Sequence, residues 1–98
     1  MSRQRQIEIR RERARRELPR YRITNTRPGE ILSLYKVRSA SGYTYDVEIR
    51  NPFELENRCS CPDYESNGLG TCKHIEAVLI YLERKYPHEF ERQRAKLA

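Results

Sequence analysis

Cys59-Ser-Cys61, the spacer Pro62-Asp-Tyr-Glu-Ser-Asn-Gly-Leu-Gly-Thr71, and Cys72-Lys-His74 form the stretch whose reading decides the fold. Four donors of the kinds zinc prefers fall within sixteen residues, using all three cysteines and one of the two histidines. A structural zinc site takes four thiolate or imidazole donors in a tetrahedron, and Cys3His is one of its usual sets. In an extended segment residues i and i+2 point the same way, so Cys59 and Cys61 can face one ion. On a regular helix they would diverge, which puts Cys72 and His74 at a helix entry. Strand and helix are then clamped by a single Zn2+. Three cysteines cannot pair off evenly, a reducing compartment disfavours disulfides, and four ligands leave no open position of the kind a catalytic zinc keeps.

On either side of this stretch the chain reads as β before and α after. Ile31–Val37 is rich in strand-forming residues, Ser39-Ala-Ser-Gly42 supplies a turn, and the next run alternates. Tyr43, Tyr45, Val47 and Ile49 share one face, with Thr44, Asp46, Glu48 and Arg50 on the other, the pattern of a half-buried strand. Asn51-Pro52 ends it, and Arg58–Cys61 is short and extended. Tyr21 and Ile23 form a further short strand before the loop at Thr26–Gly29. After the cysteines, Ile75, Val78, Leu79, Leu82 and Tyr86 repeat at helical spacing, widened by Ala77, Ile80 and Tyr81. Thr71 is placed to cap this helix and Pro87 to stop it. The expected fold class is α+β: a small antiparallel meander of three to four short strands followed by one amphipathic helix, with a basic N-terminal helical arm.

The charge is uneven. Of the 98 residues, the first twenty hold eight arginines against three glutamates, net +5, while the remainder holds 12 basic and 11 acidic residues, net +1. Residues 3–18 favour helix on propensity, but Ile7, Ala14 and Leu18 make too thin an apolar stripe to bury firmly. The organisation expected is a basic arm over 1–20, a zinc-binding domain over 21–87 and a polar tail over 88–98, frayed or weakly helical. Asp63, Glu65 and Glu76 read as solvated carboxylates, His88 as a surface histidine, and Tyr43 and Tyr45 as core rather than as base-stacking residues. No run is apolar enough to span a bilayer or to act as a leader, which points to a cytoplasmic chain, on the nucleoid if bacterial. No Walker loop, nucleophile elbow, dinucleotide fingerprint or H-E-x-x-H helix occurs, so an enzyme is not expected.

C-S-C-P-D-Y, a short glycine-containing loop and G-T-C-K-H-I-E-A-V-L together resemble the SWIM zinc finger, whose pattern is C-x-C, a variable spacer and C-x-H. The resemblance covers residues 43–84 well and 21–42 loosely. It implies a strand-strand-helix core around one structural zinc held by Cys59, Cys61, Cys72 and His74. It also implies a binding module, since SWIM domains occur in Swi/Snf-type helicases, mutator-type transposases, ubiquitin ligases and recombination factors. The wording here is most similar to the module of bacterial Swi/Snf-type ATPases, although no ATPase motif is present. DNA is the expected partner, with Arg10, Arg11, Arg13, Arg15 and Arg16 along the phosphates and Arg58 and Lys73 beside the metal. The alternative is a protein-interaction module that docks on a DNA-processing partner such as a Swi/Snf-type ATPase, the arm then being a connector. A membrane or a small-molecule substrate is not expected.

Overall fold

The computed structural model describes residues 2–97; Met1 and Ala98, the outermost residues of the arm and the tail, lie outside it. The fold is α+β. A helix, α1 (Arg3–Glu17), runs through a short 3-10 turn into four strands: β1 (Arg22–Asn25), β2 (Leu34–Arg38), β3 (Thr44–Glu48) and β4 (Arg58–Cys59). Three helices follow: α2 (Pro62–Asn67), α3 (Lys73–Lys85) and α4 (Pro87–Leu97). The strands pair antiparallel in the order β1-β2-β3-β4.

The β2–β3 hairpin closes where Ser39 N–H donates to Tyr43 O (2.8 Å) and Gly42 N–H to Ser39 O (3.0 Å). Gly42 has φ +92° there, a conformation that a Cβ would strain. With the register fixed by this turn (Val37 opposite Tyr45, Tyr35 opposite Val47), the alternating residues fall on one face. Tyr35, Val37, Val47 and Ile49 meet Ile75, Val78 and Leu82 of α3, and all seven are at most 1% exposed. Each such side chain contributes about 1.5–3 kcal/mol by leaving water. The buried Tyr35 hydroxyl donates to Ile31 O at 2.7 Å, so its burial leaves no unpaired polar atom.

The N-terminal arm is helical as expected, and both it and the tail are packed more firmly than their thin apolar stripes suggest. In α1, Ile7 and Ala14 are buried against α3. The apolar stripe is thin, but Ala14 is fully buried and small enough to let two helices approach closely, and polar residues beside it supply the rest of the contact. Around that seam Arg3 donates to Leu69 O (2.9 Å), Arg10 grips Asp63, Arg11 grips Glu76 and Lys73 reaches Glu17. At the other end Pro87 occupies the first position of α4, where its missing N–H costs nothing, so it opens a helix as well as ending one. Phe90 of α4 is buried edge-on against Phe53 (centroids 5.1 Å, 74°), and the Arg94 guanidinium lies 4.3 Å over the same Phe53 ring. The spacer between the cysteine pairs also contains the short helix α2, closed by Gly68 in the left-handed conformation at φ +67°.

Candidate metal centre

Cys59 ends β4, Cys61 precedes α2, Cys72 precedes α3 and His74 lies in the first turn of α3. Their donor atoms lie within 4.8 Å of one another, and all four residues are buried. His74 presents Nδ1, 3.9 Å from Cys59 Sγ and 4.0 Å from Cys72 Sγ. With Zn–S of about 2.3 Å and Zn–N of about 2.0 Å, a tetrahedron has edges of roughly 3.5–3.8 Å, so the His74 contacts need to close by a few tenths of an ångström and the widest pair by up to about 1 Å. None of the three thiols is in a disulfide. The donor set and its spacing fit one structural zinc.

The local backbone explains why these four converge. The extended Cys61 has φ −74° and ψ 153°, and its Sγ accepts from Tyr64 N–H at 3.4 Å. Cys72 is likewise extended (φ −156°, ψ 174°) and is itself the N-cap residue of α3. Thr71 therefore does not cap the helix: the cap position goes to the residue whose sulfur must turn inward. The Thr71 hydroxyl instead donates to Glu76 Oε2 at 2.6 Å. The sulfurs are coupled. Cys61 is held far below the ordinary thiol range because the Cys59 and Cys72 thiols both donate to it. Cys59 is pushed up to about 12, first by giving its hydrogen to Cys61, and Cys72 is pushed up by the same sharing with both neighbours. The cluster by itself thus favours one thiolate, and a bound zinc would take all three in that form.

A second layer surrounds the ligands, and it comes largely from α1. Arg10 forks onto Asp63 through Nε and Nη2, both at 2.9 Å, and its Nη1 reaches Gln6 O and Oε1. The Asp63 hydrogen bond raises the Arg10 guanidinium above its ordinary value, with a smaller contribution from Cys72. Arg10 is therefore the cation that the sulfur cluster feels. On the other side Tyr45 lies 4.5 Å from the His74 ring and Tyr21 lies 5.6 Å from it, centroid to centroid. Burial pushes the Tyr21 phenol upward, with contributions from Glu17 and the sulfurs of Cys72 and Cys61.

The Arg10 hydrogen bonds hold Asp63 below the usual carboxylate range. The contribution of this pair to stability is complete above that range and is lost as pH falls through the depressed value. Asp63→Asn is accordingly expected to lower the melting temperature of the zinc-loaded chain at neutral pH, where Asp63 is fully charged, and equal melting temperatures would show that the pair does not contribute to stability.

Of the residues expected to contact nucleic acid, the structure separates two groups. Arg10, Arg11, Arg15 and Lys73 are engaged by Asp63, Glu76, Glu12 and Glu17 respectively. Arg13 and Arg16 are exposed and have no carboxylate partner among the described residues. Arg58 lies on the outer face of the sheet, opposite Glu48 across the β3–β4 ladder. Glu76 is not a solvated carboxylate but a buried one, 3% exposed, held by Arg11 Nε at 3.0 Å and by Thr71. Arg20, Arg22 and Arg38 also lie exposed and unpartnered, and only the strand register, with Arg22 directly opposite Arg38, brings the last two together.

A Cys3His cluster that ties a strand end to a helix entry defines a zinc finger. Residues 45–83 match the SWIM zinc finger family, and this part of the chain is a SWIM zinc finger. No curated protein and no solved structure matches the chain.

Proposed function

We propose that the chain is a non-catalytic, zinc-organised DNA-binding module that works beside a helicase-type ATPase. The observation that carries this reading is a set of exposed guanidinium groups without carboxylate partners. Arg13, Arg16, Arg20, Arg22 and Arg38 follow one another from the last turns of α1 into β1 and across to β2, none with a carboxylate partner among the described residues. Arg22 and Arg38 oppose each other across the strands, an arrangement that costs roughly 0.2–1 kcal/mol and that a bridging phosphate would relieve. The net charge of +6 has the sign such a partner requires. The closed four-ligand metal set supports a structural rather than a catalytic ion. No helix among the described residues is long and apolar enough to cross a membrane, which is compatible with a cytoplasmic module on the nucleoid. The ATPase partnership rests on the resemblance of C-K-H-I-E-A-V-L to the module of bacterial Swi/Snf-type enzymes.

Binding of the zinc-loaded chain to a labelled DNA probe at about 50 and about 200 mM salt tests the reading. Affinity is expected to fall steeply with salt, and each phosphate contact removed by Arg→Gln at 13, 16 or 20 is expected to lower the log–log slope by up to about 0.9. Arg15→Gln, at a residue already paired with Glu12, should change it less. A protein-docking role is favoured by one feature, a groove lined by Ile23, Pro28, Ile31, Tyr81 and Tyr86 beside the free edge of β1. Absence of any salt-sensitive DNA binding would overturn the first reading in favour of that one.

A further inference from the structure

Tyr43 does not follow the rest of its strand face. Val47 and Ile49 are buried under α3, whereas Tyr43, on the same side, is 67% exposed at the turn end of the β2–β3 hairpin. It nonetheless has an aromatic neighbour. The ring stacks on Tyr45 with centroids 6.4 Å and planes 24° apart, and Tyr45 in turn lies against His74. An aromatic ladder therefore rises from a metal ligand to the surface and ends in one open ring face. Two basic groups stand at that end of the sheet, on its opposite face. Arg22, Arg38 and Thr44 stand in one row across β1, β2 and β3 on the outer face, and Arg20 precedes Tyr21 at the foot of the ladder. The other exposed large apolar residues, Leu55, Tyr86 and Leu97, belong to other elements, so Tyr43 is not part of a greasy patch suited to a protein partner.

We propose that Tyr43 is a stacking platform for an unpaired base, and that the DNA this chain prefers is single-stranded. The proposal rests on the DNA-binding reading above and adds the form of the ligand. In a duplex each base face is covered by its neighbours, whereas a single strand can lay one base on an exposed ring. The stack on Tyr45 offers the Tyr43 ring one aromatic face and leaves the other side open to a base. Phosphates on either side of that base then pass the Arg22–Arg38 row as the strand crosses the sheet end. Sequence preference is not expected from such a site, because every base offers a π face.

The test compares a labelled oligo-dT of about 12 nucleotides, a length that such grooves accept, with a duplex of equal length, using the zinc-loaded full chain at one salt concentration. The single strand is expected to bind more tightly. Tyr43→Ala is expected to weaken it by about 5- to 150-fold while leaving duplex binding unchanged, and Tyr43→Phe to retain it. Tyr43 is exposed, so these variants keep the fold, which circular dichroism verifies. Salt-sensitive duplex binding that equals or exceeds single-strand binding, or equal affinity of native chain and Tyr43→Ala for oligo-dT, would overturn the stacking proposal and leave the DNA reading standing. Failure of both probes to bind would overturn both.

Discussion

Stripping zinc is expected to unfold the chain. A structural zinc contributes about 10–16 kcal/mol in apparent terms, against a total stability of about 5–15 kcal/mol for an ordinary domain. The balance cannot survive its loss, because little else holds that half of the molecule. β4 pairs with β3 over only two residues, Cys59 with Val47 and Arg58 with Glu48. α2 is six residues long and buries none of them. The four ligands are at most 5% exposed, so without the ion three sulfurs and an imidazole remain buried with little beyond one another and the Tyr64 N–H as partners. A chelator in excess, with metal content assayed in parallel, should abolish the cooperative thermal transition, and Cys72→Ser should do the same with zinc present. The β1–β3 meander is the part expected to retain some structure, since its register depends on the Gly42 turn and not on the metal. A metal-free chain that melts at the temperature of the loaded one would refute a structural role for the ion.

The ligands were legible because their chemistry is local: the spacing of Cys59, Cys61, Cys72 and His74 is the site. The meander and α3 were legible for a similar reason, since alternation and helical spacing are written along a single segment. What the sequence did not carry was anything decided by a distant neighbour. Glu76 looks like a surface acid until Arg11, 65 residues away, is placed over it. Thr71 looks like a cap until Cys72 takes that position to aim its sulfur. Tyr43 has the right parity for the core, but parity fixes the side of a strand and not how far the covering helix extends along it. In α4 a single Phe90, facing Phe53, was too little periodicity to distinguish a docked helix from a frayed tail. The pairing of Arg22 with Arg38 required a register that no count of residues supplies.

Deleting residues 1–20 is expected to destabilise the zinc-loaded finger by several kcal/mol, even though the segment is mostly charged. Ile7 and Ala14 leave α3, and burial of an isoleucine alone is worth about 1.5–3 kcal/mol. The larger consequence is what stays behind. Glu76 is 3% exposed and would keep only the Thr71 hydroxyl after losing Arg11, and stranding one member of a buried pair costs about 3–5 kcal/mol. Arg11 is half-exposed, so the lower part of that range applies, and water entering the vacated seam reduces it further. Asp63 loses Arg10, Lys73 loses Glu17, and the Leu69 carbonyl loses Arg3. Thermal melts of the full and truncated chains under saturating zinc should differ by well over 5 °C, since each kcal/mol shifts a domain of this size by about 4–8 °C. A truncated chain melting within about 2 °C of the full one would mean that α1 is a passenger. Ile7→Ala tests the same seam with every arginine kept, and should lower the melt without changing the salt slope of DNA binding. Arg13→Gln with Arg16→Gln should do the reverse, because those two side chains leave the packed face alone. The two sets of variants thus separate the packing of α1 from its proposed DNA contact, which a truncation that removes both at once does not.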